Sequence, residues 1–341
     1  AQNLNENARH KNVGLVLETR PDLITPAELS RMRKYGVTKV QLGIQSLDNQ
    51  ILAQNNRGHT VEQARTGIAL LRSAGFKIVL HWMPNLLGAT LESDREDFNR
   101  LWEDFSPDEL KIYPTQLLKN TGLYDVWEKG NYRPYTTREL IHLIADIKPT
   151  IPRYCRVNRV IRDIPSSNVV AGNKRTSLRQ DIKRELSRRG EACSCIRCRE
   201  VQGQDIQSRD LHLNDLVYNS NGCEEHFLTY DTEEDLLAGF LRLSLPGPDA
   251  ADPEFEDLQG AALIREVHVY GESVPVGQER SGAAQHVGLG TALLIKSERI
   301  ALEKGYQKMA VISAVGTRGY YQDRGYKSGD LYQVKDLSQE S

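Results

Sequence analysis

Strand-like and helix-like stretches alternate at a steady interval through the first third of the chain, and that interval limits the fold more than any other feature. Apolar, β-prone runs occupy residues 13–19 (VGLVLET), 39–46 (KVQLGIQS), 77–84 (KIVLHWMP) and 109–115 (ELKIYPT). Helical patterns fill the gaps at 25–35, 60–74 and 91–105. The strand starts are 26 to 38 residues apart, the spacing of βα units, which predicts a parallel sheet, either barrel or open. Thr25-Pro26 and Thr60 with Gln63 are N-cap signatures, and Gly36 and Gly75 are glycine stops. Four strands cannot close a barrel, and the chain opens on the polar stretch AQNLNENARHKN. The expectation is therefore the later part of a larger β/α domain, with an open four-stranded sheet as the alternative.

The rest of the chain reads differently. A helix at 136–147 and the stretch 156–165 precede a strongly basic segment. Near Leu213 a second pattern begins: antiparallel strands at 226–231 and 236–245, a polar loop, a long strand at 261–271, a helix at 289–304, a strand at 308–315 and a short helix at 318–324. This is an α+β pattern with a mostly antiparallel sheet. No run of 18 apolar residues or signal peptide is present, so the reading is of a cytoplasmic protein without a membrane partner. Five cysteines, three of them within six residues, point to a reducing compartment and a metal rather than to disulfides.

The net charge of −2 conceals an asymmetry. Residues 153–199 hold thirteen Lys/Arg against four Asp/Glu, a net of +9, while residues 211–341 hold eleven against twenty-one, a net of −10. Arg156, Arg159, Arg162, Lys174, Arg175, Arg179, Lys183 and Arg184 lie in the basic part, a density that suits a nucleic-acid backbone. A solvated charged face, or pairing with the acidic half, would use the same residues.

Gln285, His286, Val287, Gly288, Leu289, Gly290 and Thr291 open the helix at 289–304. Amides at a helix start are unpaired and partly positive, and glycines let a pyrophosphate approach them. The spacing resembles the coenzyme-binding signature of GNAT acetyltransferases, which hold acetyl-CoA this way; a tight turn before a helix would also accept these glycines. Tyr320 and Tyr321 follow the next strand. In such proteins a tyrosine near the thioester can protonate a leaving thiolate; Tyr320 and Tyr321 are the candidates, Tyr321 the preferred one, with core packing of the pair as the alternative.

Cys193, Cys195 and Cys198 bring three thiols into one short loop, a pattern typical of structural zinc, with free or redox-active thiols as the alternative. A fourth ligand could come from His212, Cys155 or outside this chain.

Ten strings, in order, resemble one family: the catalytic subunit of Elongator with its single-chain bacterial and archaeal homologues. They are LETRPD (17–22), GIQS (43–46), NRGHT (56–60), HWMPN (81–85), KIYPT (111–115), TGLYDVW (121–127), RDIP (162–165), REVHVYG (265–271), QHVGLG (285–290) and AVGTRGYY (314–321). The resemblance implies an incomplete radical-SAM-type β/α barrel (1–165), a basic zinc-binding linker (166–212) and a GNAT-like α+β acetyltransferase domain (213–341). It implies tRNA as partner, with assembly as a homodimer left open. It also implies modification of the wobble uridine at carbon 5. A 5′-deoxyadenosyl radical takes hydrogen from the methyl group of acetyl-CoA, the acetyl radical adds to the base, and thioester hydrolysis leaves 5-carboxymethyluridine. By position, Glu18, His81 and Lys111 would face the radical site, Gln285 to Gly290 the pyrophosphate, Tyr320 and Tyr321 the thioester, and Cys193, Cys195 and Cys198 would hold Zn2+.

In one respect the chain departs from that pattern. The family binds S-adenosylmethionine beside a [4Fe–4S] cluster held by an early cysteine triad, and no cysteine lies among the first 150 residues. The cluster ligands are therefore expected outside this chain, which by itself would not cleave S-adenosylmethionine. Two other functions compete: a protein lysine acetyltransferase with Glu266 or Glu272 as base, and a non-catalytic tRNA-binding module.

Overall fold

The computed structural model describes residues 1–162, 164–201, 210–270 and 288–338. A five-stranded, all-parallel sheet forms first, in the order β1 (Val16–Thr19), β2 (Lys39–Gln45), β3 (Lys77–Trp82), β4 (Glu109–Ile112), β5 (Arg156–Arg159). After a short first helix, α1 (Gln2–Asn7), the connecting helices are α2 (Pro26–Tyr35), α3 (Asn49–Gln54), α4 (Val61–Ser73), α5 (Leu91–Asp104), α6 (Gly122–Glu128) and α7 (Thr137–Ile147). The repeating interval is thus a parallel sheet, with a fifth strand hidden in the arginine-rich stretch.

Local chemistry sets the helix ends. Thr60 and Gln63 form a reciprocal capping box, as do Thr90 with Ser93 and Thr136 with Glu139; each such cap contributes about 1 kcal/mol. The Thr25 side chain accepts from the Glu28 amide, and α2 stops at Gly36 with φ +85°, a left-handed angle that glycine adopts without steric cost. On β2, Val40, Leu42 and Ile44 are fully buried beneath the helices, while Lys39, Gln41, Gly43 and Gln45 face the other way.

Between the sheets run α8 (Leu178–Arg189) and α9 (Ile196–Arg199). Among the described residues the second sheet has seven strands: β6 (His212–Ser220), β7 (Cys223–Asp231), β8 (Leu237–Pro246), β9 (Ala261–Val269), β10 (Lys308–Val311), β11 (Lys327–Ser328) and β12 (Gln333–Asp336). Their order is β11-β12-β10-β9-β8-β7-β6, antiparallel except for β9 with β10. The parallel pair is bridged by α10 (Leu289–Glu303), which packs Leu293, Leu294, Ile300 and Ala301 against Leu228, Leu241, Leu243 and Ile264. The short helix α11 (Arg318–Gln322) follows β10.

The opposite face of this second sheet docks against the start of the first. A register break in β8–β9, where Arg242 pairs with Glu266 and Leu243 with Ile264, leaves Arg265 out of the ladder. Arg265 and Glu266 both reach the first unit as a result. Asp108, entirely buried, meets Arg265, Arg72 at 3.4 Å and Arg242 at 3.4 Å, while Arg265 also reaches Glu225 at 2.8 Å. Burial alone would raise the Asp108 carboxyl, but the three guanidiniums hold it well below the usual carboxylate range. Beside it, Glu109 accepts from Lys39 at 2.8 Å, Lys77 at 3.5 Å and Asn158 at 2.5 Å, and Lys77 continues to Glu266. Tyr154 and Tyr218 stack across the junction at 4.0 Å. One apolar core cluster runs through both units, from Val40 and Leu80 to Phe240, Leu263 and Ile312.

Candidate functional site

Polar side chains converge at the C-terminal ends of the parallel strands. In such sheets this is where ligands bind, because loops diverge there and strand carbonyls and side chains are left unpaired. A cavity of about 360 Å³ opens at this end, lined among others by Glu18, Gln45, Arg57, His81, Lys111 and Arg162. The loop after β4 closes another side with Tyr113, Thr115 and Gln116. The three residues assigned to the radical site, Glu18, His81 and Lys111, therefore share one cavity.

Their chemistry differs. Burial, then the charges of Lys111 and Arg162, push the His81 imidazole down to about 4, so the ring is neutral at physiological pH. Its Nδ1 lies 3.6 Å from the exposed Glu18 carboxylate, and the ring meets Tyr113 edge-on at 5.5 Å. Partial burial also lowers the Lys111 ammonium, with Glu18 opposing that shift.

The sequence reading missed the residues that most clearly point to a ligand. Gln45 Oε1, Arg57 Nε, Thr115 Oγ1 and Gln116 Oε1 are buried without a hydrogen-bond partner among the described residues, and all four residues line this cavity. An unmade hydrogen bond on a buried group costs about 1–3 kcal/mol, so four at one cavity favour a polar, charged occupant. Gln45 also holds φ +65° at the end of β2, a strained angle for a residue with a Cβ. A Cβ at Gly43 would come within 2.5 Å of Gln45 Nε2, so a bare backbone accommodates this side chain. The only sequence sign of Gln45, Arg57 and Thr115 lies inside the strings GIQS, NRGHT and KIYPT, and Gln116 falls just past the last of them.

At the α10 entrance the described residues begin with Gly288; Gln285, His286 and Val287 lie outside them. Leu289 and Gly290 are buried within the first turn. A Cβ on Gly290 would lie 2.7 Å from the Tyr320 hydroxyl, so the glycine admits that hydroxyl to the helix start. Arg324 stacks on the Tyr320 ring at 3.7 Å and donates to Thr291 Oγ1 at 2.9 Å. This placement puts the Tyr320 hydroxyl, rather than that of Tyr321, beside the helix start. Tyr321 is turned into the core, against Tyr326 at 5.8 Å, and burial raises its phenol. On so short a helix consecutive side chains point about 100° apart, and the inward one is Tyr321.

The thiols of Cys193, Cys195 and Cys198 lie within 4.8 Å of one another, close enough to bind one ion. Neither His212 nor Cys155 belongs to this group, although the Cys155 carbonyl accepts the Ile196 amide at 3.0 Å beside it. Lys148 is buried and donates to Cys193 Sγ at 3.3 Å. A buried ammonium beside a sulfur favours the ionised form of that sulfur over the neutral thiol. The triad sits behind β5, away from the cavity.

Much of the basic segment is paired within the chain. Asp181 takes Arg175 and Arg184, Glu200 takes Arg156 at 2.6 Å, and Arg179 donates to the Val157 carbonyl at 3.0 Å. Lys174 and Lys183 are exposed, and Arg162 lines the cavity. The net of +9 thus overstates the free cationic surface.

The β/α unit and its cavity define a radical-SAM-type domain: the Radical SAM superfamily matches residues 2–101 and the Radical_SAM C-terminal domain matches residues 107–188. The tRNA uridine(34) acetyltransferase of Dehalococcoides mccartyi is 41% identical over 345 residues, covering 99% of this chain and 74% of that protein. Elongator complex protein 3 of Danio rerio is 40% identical over 97% of this chain, which spans 62% of its length. Among solved structures, the archaeal Methanocaldococcus infernus Elp3 with an N-terminal deletion aligns at a TM-score of 0.90 and 36% identity, covering 98% of this chain and 80% of that one. The chain belongs to the family of the tRNA uridine(34) acetyltransferases and Elongator complex protein 3.

Proposed function

We propose that this chain carries most of a tRNA-modifying acyltransferase that acts on the wobble uridine, with S-adenosylmethionine at the sheet-end cavity and acetyl-CoA at the α10 entrance. The observation carrying this reading is the set of four unsatisfied buried polar groups at the cavity. Gln45, Arg57, Thr115 and Gln116 offer donors and acceptors of the kind that an amino acid carboxylate, an ammonium and a ribose engage. When bound beside its [4Fe–4S] cluster, S-adenosylmethionine supplies the radical chemistry. The chain's own residues bind and orient: Arg57 and Arg162 offer positive charge, and the neutral His81 and Glu18 accept protons or hydrogen bonds.

In the second unit we assign a GNAT-like role to the β9–α10–β10 arrangement. The α10 amides would face the pyrophosphate, and the Tyr320 hydroxyl at Gly290 would meet the thioester. The triad Cys193, Cys195, Cys198 is assigned to zinc, with Lys148 offsetting the single negative charge that Zn2+ and three thiolates leave. Arg162, which lines the cavity, and the exposed Lys174 and Lys183 are assigned as cationic contacts for tRNA.

A lysine acetyltransferase finds less support. Glu266, its described candidate base, is locked between Lys77 and Arg242 at 3.0 Å; although burial alone would raise its carboxyl, those cations hold it at about 2. Glu272 lies outside the described residues.

The test is acetyl-CoA hydrolysis by the full-length protein with and without tRNA, beside the Gly290→Val variant. Turnover that requires tRNA, and that falls at least tenfold when the new side chain meets the Tyr320 hydroxyl, supports the reading. Turnover indifferent to tRNA, or an unaffected variant, would overturn it. Metal analysis of the same samples should find zinc, lost on Cys198→Ser.

A further inference from the structure

Gln41 stands at the middle of β2, beneath the cavity rather than in its wall. Its Oε1 receives two donors from neighbouring strands: the Lys111 ammonium from β4 and His81 Nε2 from β3 at 2.9 Å. A lysine ammonium can only donate, so the carboxamide atom facing it is the oxygen. The ring nitrogen sharing that oxygen must therefore carry hydrogen. In a neutral imidazole this leaves the lone pair on Nδ1, the atom facing Glu18 at 3.6 Å.

We propose that Gln41 is a positioning residue that fixes His81 in the Nε2–H tautomer and so presents Nδ1 to the cavity as an acceptor. Two acceptors, Nδ1 and the Glu18 carboxylate, then face the same space. The occupant they suit presents an O–H or N–H donor between them. Assignment of this occupant rests on reading the cavity as the substrate site; the tautomer itself does not. The charged groups facing the ring agree with a neutral state. Lys111 and Arg162 oppose protonation, Glu18 alone favours it from an exposed position, and Tyr113 adds a ring edge.

The experiment uses the full-length protein with 15N-labelled histidine, following the His81 ring nitrogens by NMR across a pH titration and assigning them by loss in His81→Asn. The wild-type ring is expected to carry hydrogen on Nε2 and to titrate well below an ordinary histidine. Gln41→Glu keeps the volume but adds a carboxylate, and should raise the midpoint by about one to two pH units. Gln41→Leu removes the acceptor and should mix the tautomers. A wild-type ring protonated on Nδ1, or a tautomer and midpoint untouched by both variants, would overturn the proposal. The wild-type measurement decides even if a variant fails to fold. An Nε2–H ring in a protein that binds neither S-adenosylmethionine nor tRNA would uphold the positioning role and sink the substrate reading instead.

Discussion

The two ends of the parallel sheet use the same kinds of residue to opposite purpose. At the start of the strands, Lys39, Lys77, Arg72, Asp108 and Glu109 are bonded to one another and to Glu225, Arg242, Arg265 and Glu266 of the second sheet. Single atoms there lack partners, as at Arg72 Nε and Glu225 Oε1, but each group keeps other bonds. At the far end, the side chains of Gln45, Arg57, Thr115 and Gln116 retain buried atoms with nothing to meet. Water or a ligand can meet such groups, and four of them gather at this one cavity. One end therefore closes the molecule on itself, and the other leaves polar atoms unmet around an open cavity.

The strongest challenge to that contrast is Asp108→Asn. It leaves Arg72, Arg242 and Arg265 buried around a neutral amide, and breaking a buried ionic network from one side costs about 3–5 kcal/mol. Denaturant unfolding should show this loss. In the wild type the same residue gives an acid-side dependence. Its folded carboxyl titrates below its unfolded value, so its stabilisation is present above the ordinary carboxyl range and fades as pH falls. Unchanged stability in the variant would erase the distinction between the ends.

A smaller effect, of the opposite kind, is expected from Arg57→Met. This side chain has no hydrogen bond to lose among the described residues, and burial already lowers its pKa. Stability should stay within about 0.5 kcal/mol of wild type or rise. Binding of S-adenosylmethionine, read by calorimetry on the cluster-loaded full-length protein, should weaken at least about tenfold. A variant that unfolds easily but binds normally would make Arg57 structural.

The same contrast explains what could be read from the sequence. Helix ends were legible because Thr60, Gln63 and Gly36 act on their own few neighbours. β5 was not, because Arg156 and Arg159 on a four-residue strand look like part of the basic segment. β6 was not, because an edge strand exposed along most of its length shows no alternation. Glu18, His81 and Lys111 were reached through the family resemblance, by their positions in or at the ends of strands. Gln41, Gln45 and Arg57 were not, since what marks them is a shared or missing partner created when strands about 40 to 70 residues apart come together. Cys193, Cys195 and Cys198 were legible through spacing alone, but Lys148, 45 residues away, was not.

A third test moves to the outer face of the second sheet. Along β7, Glu225 points inward to Arg265 while its neighbour His226 points outward, where Nδ1 meets Asp215 at 2.9 Å and Nε2 meets Glu224 at 3.0 Å. Burial alone would depress this imidazole, but the bonds and charges of the two carboxylates outweigh it and raise the pKa. The sign is then opposite to that of Asp108. A histidine bound more tightly to its proton when folded stabilises below its unfolded value of about 6.5, and the contribution disappears as pH rises through the folded value. Asp215 and Glu224 are 30% and 32% exposed, so solvent weakens the pairs and the effect should be the smallest of the three. His226→Gln should flatten the decline in unfolding stability as pH rises above about 6.5, leaving the acid-side decline from Asp108 intact. If the alkaline slope survives the substitution, the paired imidazole is not its source, and the inner and outer faces of β7 do not divide acid from alkaline sensitivity.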